Sequence, residues 1–147
     1  HTFGESDLVK SELNEVERAY TEEFRVRFDN DGWLYGKSAR NRLGMLGSGD
    51  TVGTGRHKAM GGMIWATLAV RGDKVLHAIV NGDWHPRPIE SIAWLEQALS
   101  GAAPKEGALR ERIDGFLARP GVEFAGVSAD DLMAALKGAL ASQSAAE

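Results

Sequence analysis

Two apolar runs joined by a short polar turn limit the fold more than any other feature of the chain. Met63 to Val70 is nearly continuous in apolar residues, Arg71-Gly72-Asp73-Lys74 has turn chemistry, and Val75 to Val80 is the returning run. Runs of this length between turn residues read as a β-hairpin. Both strands carry apolar residues at adjacent positions, so something must cover each face. Asn81-Gly82-Asp83 ends the second strand, and the Asp83 carboxylate is suited to accepting backbone N–H bonds that fix such a turn.

The segment after the hairpin is helical. Ile89, Ile92, Ala93, Leu95 and Leu99 lie on one face of a helix from Ile89 to Leu99, with Pro88 suited to its first turn and Gly101 to its stop. A second helix, about Lys105 to Ala118, carries Leu109, Ile113, Phe116 and Leu117 and ends before Pro120. A third starts at Ser128, where Ser128 and Asp131 have capping-box spacing, and Leu132, Met133, Leu136 and Leu140 form its face. The tail from Ser142 is small and polar and is expected to fray.

Ahead of the hairpin the pattern changes twice. Val9, Leu13, Val16, Tyr20 and Phe24 recur at helical spacing from Ser6 to about Phe24, with Ser6 or Asp7 as the cap. That apolar stripe needs a surface to pack on, in this domain or in a partner. Phe24, Val26 and Phe28 then alternate with Arg25 and Arg27, a short strand-like run, and Asp29-Asn30-Asp31-Gly32 is a turn. Residues 39–62 hold seven glycines and are expected to form a long, flexible, glycine-rich loop. Helix, strands, then helices without βαβ alternation predicts an α+β fold, a small antiparallel sheet built on a β-hairpin and packed with several helices.

Several chemistries are excluded or disfavoured. The 147 residues suit one domain with a core of its own. There is no cysteine, which removes disulfides, thiolate metal sites and thiol nucleophiles. A formal net charge of −4 argues against nucleic acid as the main partner. No apolar run has the roughly 18 residues needed to span a bilayer. The start, His1-Thr2-Phe3-Gly4-Glu5, has neither an initiator Met nor signal-peptide character, so a processed chain or a piece of a longer one is expected, in the cytoplasm. Gly47-Ser48-Gly49-Asp50-Thr51-Val52 lacks both the Walker pattern and the third glycine of a dinucleotide loop, although Arg56, His57 and Lys58 follow and could attract an anion. His1, His57, His77 and His85 show no metal-ligand spacing, and no metal site is expected. Trp33, Tyr35, Trp65 and Trp84 are aromatics suited either to an interface or to the core around the hairpin.

The order of these motifs resembles the C-terminal accessory domain of lipoate–protein ligases. Trp33-Leu34-Tyr35-Gly36-Lys37-Ser38 is similar to the segment that opens that domain. Gly62 to Val70, Lys74 to Val80, Asn81-Gly82-Asp83, and Ile92-Ala93-Trp94-Leu95-Glu96-Gln97-Ala98-Leu99-Ser100-Gly101 resemble its hairpin, its Gly-Asp turn and its first helix. The likeness spans roughly residues 12–140. Ala39 stands where a proline is usual, and the 39–62 loop is longer than expected. On this reading residues 1–28 are a connecting amphipathic helix and strand, and residues 29–147 are the accessory domain.

The resemblance implies a chain that is not catalytic alone. It implies support for ATP-dependent lipoate adenylation and lipoyl transfer by a separate large catalytic domain, in cis or in trans. Lipoyl carrier proteins would be indirect partners. Lipoate and ATP/Mg would be used by that catalytic partner and no cofactor held by this chain alone, with neither nucleic acid nor membrane as a partner. The partner interface is expected at Trp33, Tyr35, Gly36, Lys37, Gly82 and Asp83. Two alternatives are a cysteine-free relative of iron–sulfur scaffold or activator proteins, and a stand-alone small-molecule binding module.

Overall fold

The computed structural model describes residues 10–30, 43 and 46–146. The chain divides into two compact units, His1–Arg42 and Leu43–Glu147. In the first, helix α1 runs Glu15–Phe28. Asn14 caps it, its side chain accepting from Glu17 N at 3.0 Å while Glu17 accepts from Asn14 N at 2.8 Å. This corrects the expectation of a strand at Phe24–Phe28. Phe24 and Phe28 are one helical turn apart and stack at 5.7 Å between ring centroids, so the i, i+4 contact overrides the short alternation. The helix begins at a different cap from Ser6 or Asp7, which lie outside the described residues, and all of it is exposed.

In the second unit the elements are β1 (Asp50–Ala59), β2 (Gly62–Arg71), β3 (Lys74–Gly82), β4 (Pro86–Arg87), α2 (Ser91–Leu99), α3 (Glu106–Leu117), β5 (Glu123–Phe124), α4 (Ala129–Ala141) and β6 (Ser144–Ala145). An antiparallel sheet has the order β3-β2-β1-β6, and β4 pairs with β5 in a second, two-stranded sheet. The fold is α+β, as expected. The hairpin lies where the two apolar runs placed it, as β2 and β3, and the three C-terminal helices match theirs to within two or three residues. Pro88 precedes α2 rather than starting it, in a cis bond after Arg87.

Two further expectations fail. Residues 50–59 of the expected glycine-rich loop form a ten-residue strand, β1, paired with β2 from Asp50↔Arg71 to Ala59↔Gly62. Its glycines serve packing. A Cβ on Gly53 or Gly55 would run into the backbone of Ala135, Gly138 and Ala139, so α4 rests directly on strand backbone. Glycine content alone looks like a loop because β propensity scores side chains, and here the close approach of a helix requires their absence. The fraying tail is likewise tied down. Ala145 and Ser144 pair with Thr51 and Val52, and Ala146 N donates to Asp50 O at 2.9 Å.

The core lies between the sheet and the helices. Ile64, Ala66, Leu68 and Val70 of β2 alternate inward with Val75, Ala78 and Val80 of β3. They meet Leu95 and Leu99 of α2, Leu109, Ile113 and Phe116 of α3, and Leu132, Leu136 and Ala139 of α4. Ala69 and Ile79, of opposite parity, are also buried, which fits a hairpin apolar on both faces. Ser128 caps α4 through the predicted box, its hydroxyl accepting from Asp131 N at 3.2 Å while Asp131 accepts from Ser128 N at 2.8 Å.

Candidate partner interface

Of the six residues expected at an interface, Trp33, Tyr35, Gly36 and Lys37 lie outside the described residues. Gly82 and Asp83 sit together where β3 leaves the sheet, and both are exposed. The Asp83 carboxylate accepts from Met63 N, and Asp83 N donates to Met63 O at 3.3 Å. One side chain thus fastens the end of β3 to the start of β2, as the turn chemistry of Asn81-Gly82-Asp83 predicts. Glycine is needed beside it. Gly62 has φ +150°, and a Cβ there would strike Asp83; a Cβ on Gly82 would strike Met63 O and the Trp84 indole.

Trp84 anchors this corner from below. It is 6% exposed and packs on Phe124 at 4.7 Å, which in turn meets Phe116 at 5.5 Å. Its Nε1 is buried with no hydrogen-bond partner among the described residues. Trp65 takes the opposite role, 41% exposed on the sheet face away from the helices. The Gly61 turn is bound to the loop after β5, with Gly61 N donating to Gly126 O at 2.7 Å. Three chain crossings therefore converge here.

Glu96 has a role that residue type alone does not reveal. It is 6% exposed, and its Oε1 accepts from Val80 N at 2.9 Å. Among the described residues β3 is an edge strand of its sheet, and this carboxylate satisfies an edge amide that none of their strands reaches. Gly101 N and Ala102 O bond the same edge at Val75. The signal lay in the position of Glu96 beside Leu95 and Leu99, on a face that must be buried.

Two charged groups complete the electrostatics. The buried Asp50 carboxylate accepts two bonds from Arg71, each 2.7 Å, and one from Gly47 N at 2.8 Å. The Arg71 hydrogen bond, then that from Gly47, brings its pKa down from 3.8 to about 2. Asp131 is also held below the ordinary carboxylate range, first by the Ser128 hydroxyl, then by Ser128 N, with a smaller part from His57, whose Nε2 lies 3.0 Å away. The Arg56-His57-Lys58 run is thus strand, with His57 turned to α4 and its two cationic neighbours exposed. The glycines before it pair with β2 and leave no phosphate-cradling loop at Gly53 or Gly55. Among the described residues no cluster of three His, Asp or Glu could hold a metal ion. No described helix is long and apolar enough to cross a membrane.

No protein-family model matches the chain, and no curated protein matches it in sequence. Among solved structures, it is similar to a chain from the structural analysis of an archaeal lipoylation system, a bi-partite lipoate protein ligase and its E2 lipoyl domain from Thermoplasma acidophilum. The two are 29% identical with a TM-score of 0.53, over 58% of this chain and 93% of that one. The fold is therefore similar to that of a component of a lipoylation system.

Proposed function

We propose that this chain is the accessory domain or subunit of a lipoate–protein ligase, supporting ATP-dependent lipoate adenylation and lipoyl transfer by a separate catalytic domain. The observation that carries the reading is the likeness to a chain of the bi-partite Thermoplasma system, which is spanned over 93% of its length. The hairpin, the Gly82-Asp83 corner and the Leu95-Glu96 helix all support it, because they are the elements on which the motif resemblance rests.

The physical role is closure. An acyl-adenylate is lost to water when its site stays open, and a docked cap excludes water and completes the geometry. A cap needs rigid edges more than reactive groups. The Asp83–Met63 fastening and the Glu96–Val80 bond both hold the C-terminal end of β3, where the hairpin leads into the corner. Gly82 and Asp83, with Trp33, Tyr35, Gly36 and Lys37, are the contact residues we assign to the catalytic partner.

The test is reconstitution. The purified chain, mixed with the matching large domain, lipoate, ATP and Mg, is expected to release pyrophosphate, while either protein alone does not. Absence of pyrophosphate release from the mixture would overturn the reading. Calorimetry with lipoate on the chain alone is expected to show no tight binding; tight binding there favours a stand-alone binding module instead.

A further inference from the structure

The direction of each backbone amide along β1 follows from its turn. Ala59 and Gly62 face each other across a two-residue connection, so odd-numbered residues of β1 exchange hydrogen bonds with β2. Even-numbered residues turn their N–H and C=O to the opposite edge. The first half of that edge is filled. Asp50 O accepts from Ala146 N, Val52 pairs with Ser144, and the Ser142 hydroxyl both accepts from Thr54 N and donates to Thr54 O, at 2.8 Å each. Beyond Thr54 the filling stops. Among the described residues, the backbone groups of Arg56 and Lys58 that face this edge have no hydrogen-bond partner, and neither side chain meets a carboxylate.

The surroundings of this open stretch are not those of a plain surface. The pleat sends Arg56 and Lys58 to the sheet face away from the helices. Arg56 stands directly opposite Trp65 in the register, and Lys58 opposite Met63. Trp65 is 41% exposed, and Met60 at the adjoining turn is 94% exposed. Cationic side chains on an edge discourage strand pairing in general. Here they discourage it selectively, because an exposed aromatic and an exposed thioether adjoin them.

We propose that the Arg56–Lys58 edge of β1 receives an extended acidic segment of a partner protein as an added β-strand. The charges choose the occupant. A second copy of the same edge would bring Arg56 and Lys58 against their own counterparts, and like charges opposed across strands are destabilising. Acidic residues at alternate positions would meet both cations on one face while the main chain fills the unpaired amides. With two cations in the patch and a net charge of −4 on the chain, the positive surface is too small for a nucleic-acid footprint. The proposal is independent of the ligase reading, since neither lipoate nor ATP enters its test.

The test uses the full chain and a fluorescein-labelled decapeptide alternating glutamate with valine, followed by anisotropy at low salt. Saturable binding is expected. It should weaken about tenfold or more in an Arg56→Glu/Lys58→Glu variant, as charge reversal at a contact predicts. N-methylation of the peptide amides on one edge should abolish it. If the reversed variant fails to fold by circular dichroism, Arg56→Gln/Lys58→Gln replaces it, with a smaller loss expected. Absence of saturation, equal binding of the N-methylated peptide, binding indifferent to the substitutions, or tighter binding of a single-stranded oligonucleotide would each overturn the proposal.

Discussion

At the residue scale, the side chains that matter most hold backbone rather than perform chemistry. Glu96 is the clearest case, since it turns an edge amide of β3 into a satisfied one. Glu96→Ala should cost about 1–3 kcal/mol in urea unfolding, the expense of stranding a buried donor. Glu96→Gln keeps an acceptor oxygen and should cost clearly less; equal losses would show that the bond to Val80 contributes nothing. Asp50 supplies a pH dependence. Its folded pKa, about 2, lies below the ordinary value of 3.8, so its contribution is complete above about pH 4. That contribution is lost as pH falls through the folded value. Stability measured between pH 4 and pH 2 should therefore drop, and Asp50→Asn should flatten the drop while lowering stability at neutral pH. An unchanged slope in the variant would remove Asp50 from the account.

At the element scale, β1 and α4 are one construction. Gly53 and Gly55 let α4 sit on the strand, and Gly55→Ala should destabilise by at least the ~1–3 kcal/mol typical of overpacking, because the obstacle is helix backbone and not a movable side chain. A melting temperature within error of the parent would contradict this. Ser128→Ala should lower stability by about 0.5–2 kcal/mol through loss of the α4 cap. The same elements show what was legible in the sequence. The hairpin of β2 and β3 and the helices α2, α3 and α4 were readable, because their periodicity reports a buried face directly. The capping box was readable because Ser128 and Asp131 act locally. β1 was not, since its glycines answer to α4 some eighty residues away, and only tertiary structure shows that demand. The strand expected at Phe24–Phe28 failed for the opposite reason, a local helical contact between two rings outweighing a five-residue alternation. Of the expected interface, Asp83 was legible as a turn-fixing carboxylate; that Glu96 and Trp84 support the same hairpin and its corner required the fold.

At the scale of the whole molecule, the described residues build a sheet, a helical layer and a fastened corner, and the fold is similar to that of a lipoylation-system component. Asp83 illustrates why interface and fold need separate readouts. Its carboxylate secures Met63, so Asp83→Ala should lower both thermal stability and any partner-dependent activity. Asp83→Asn, which retains an acceptor, should restore stability first. If Asp83→Asn folds like the parent yet loses reconstituted adenylation, the carboxylate faces the partner; if both recover together, its role is confined to the corner.

The proposed function places the reacting groups in another polypeptide segment and leaves this one to shape and seal the cavity. Intact-mass spectrometry of a lipoyl carrier protein, incubated with lipoate, ATP and Mg, tests it most directly. A lipoyl adduct is expected when this chain and the large catalytic domain are both present, and none with this chain by itself. A lipoylated carrier formed by this chain without a companion would contradict it.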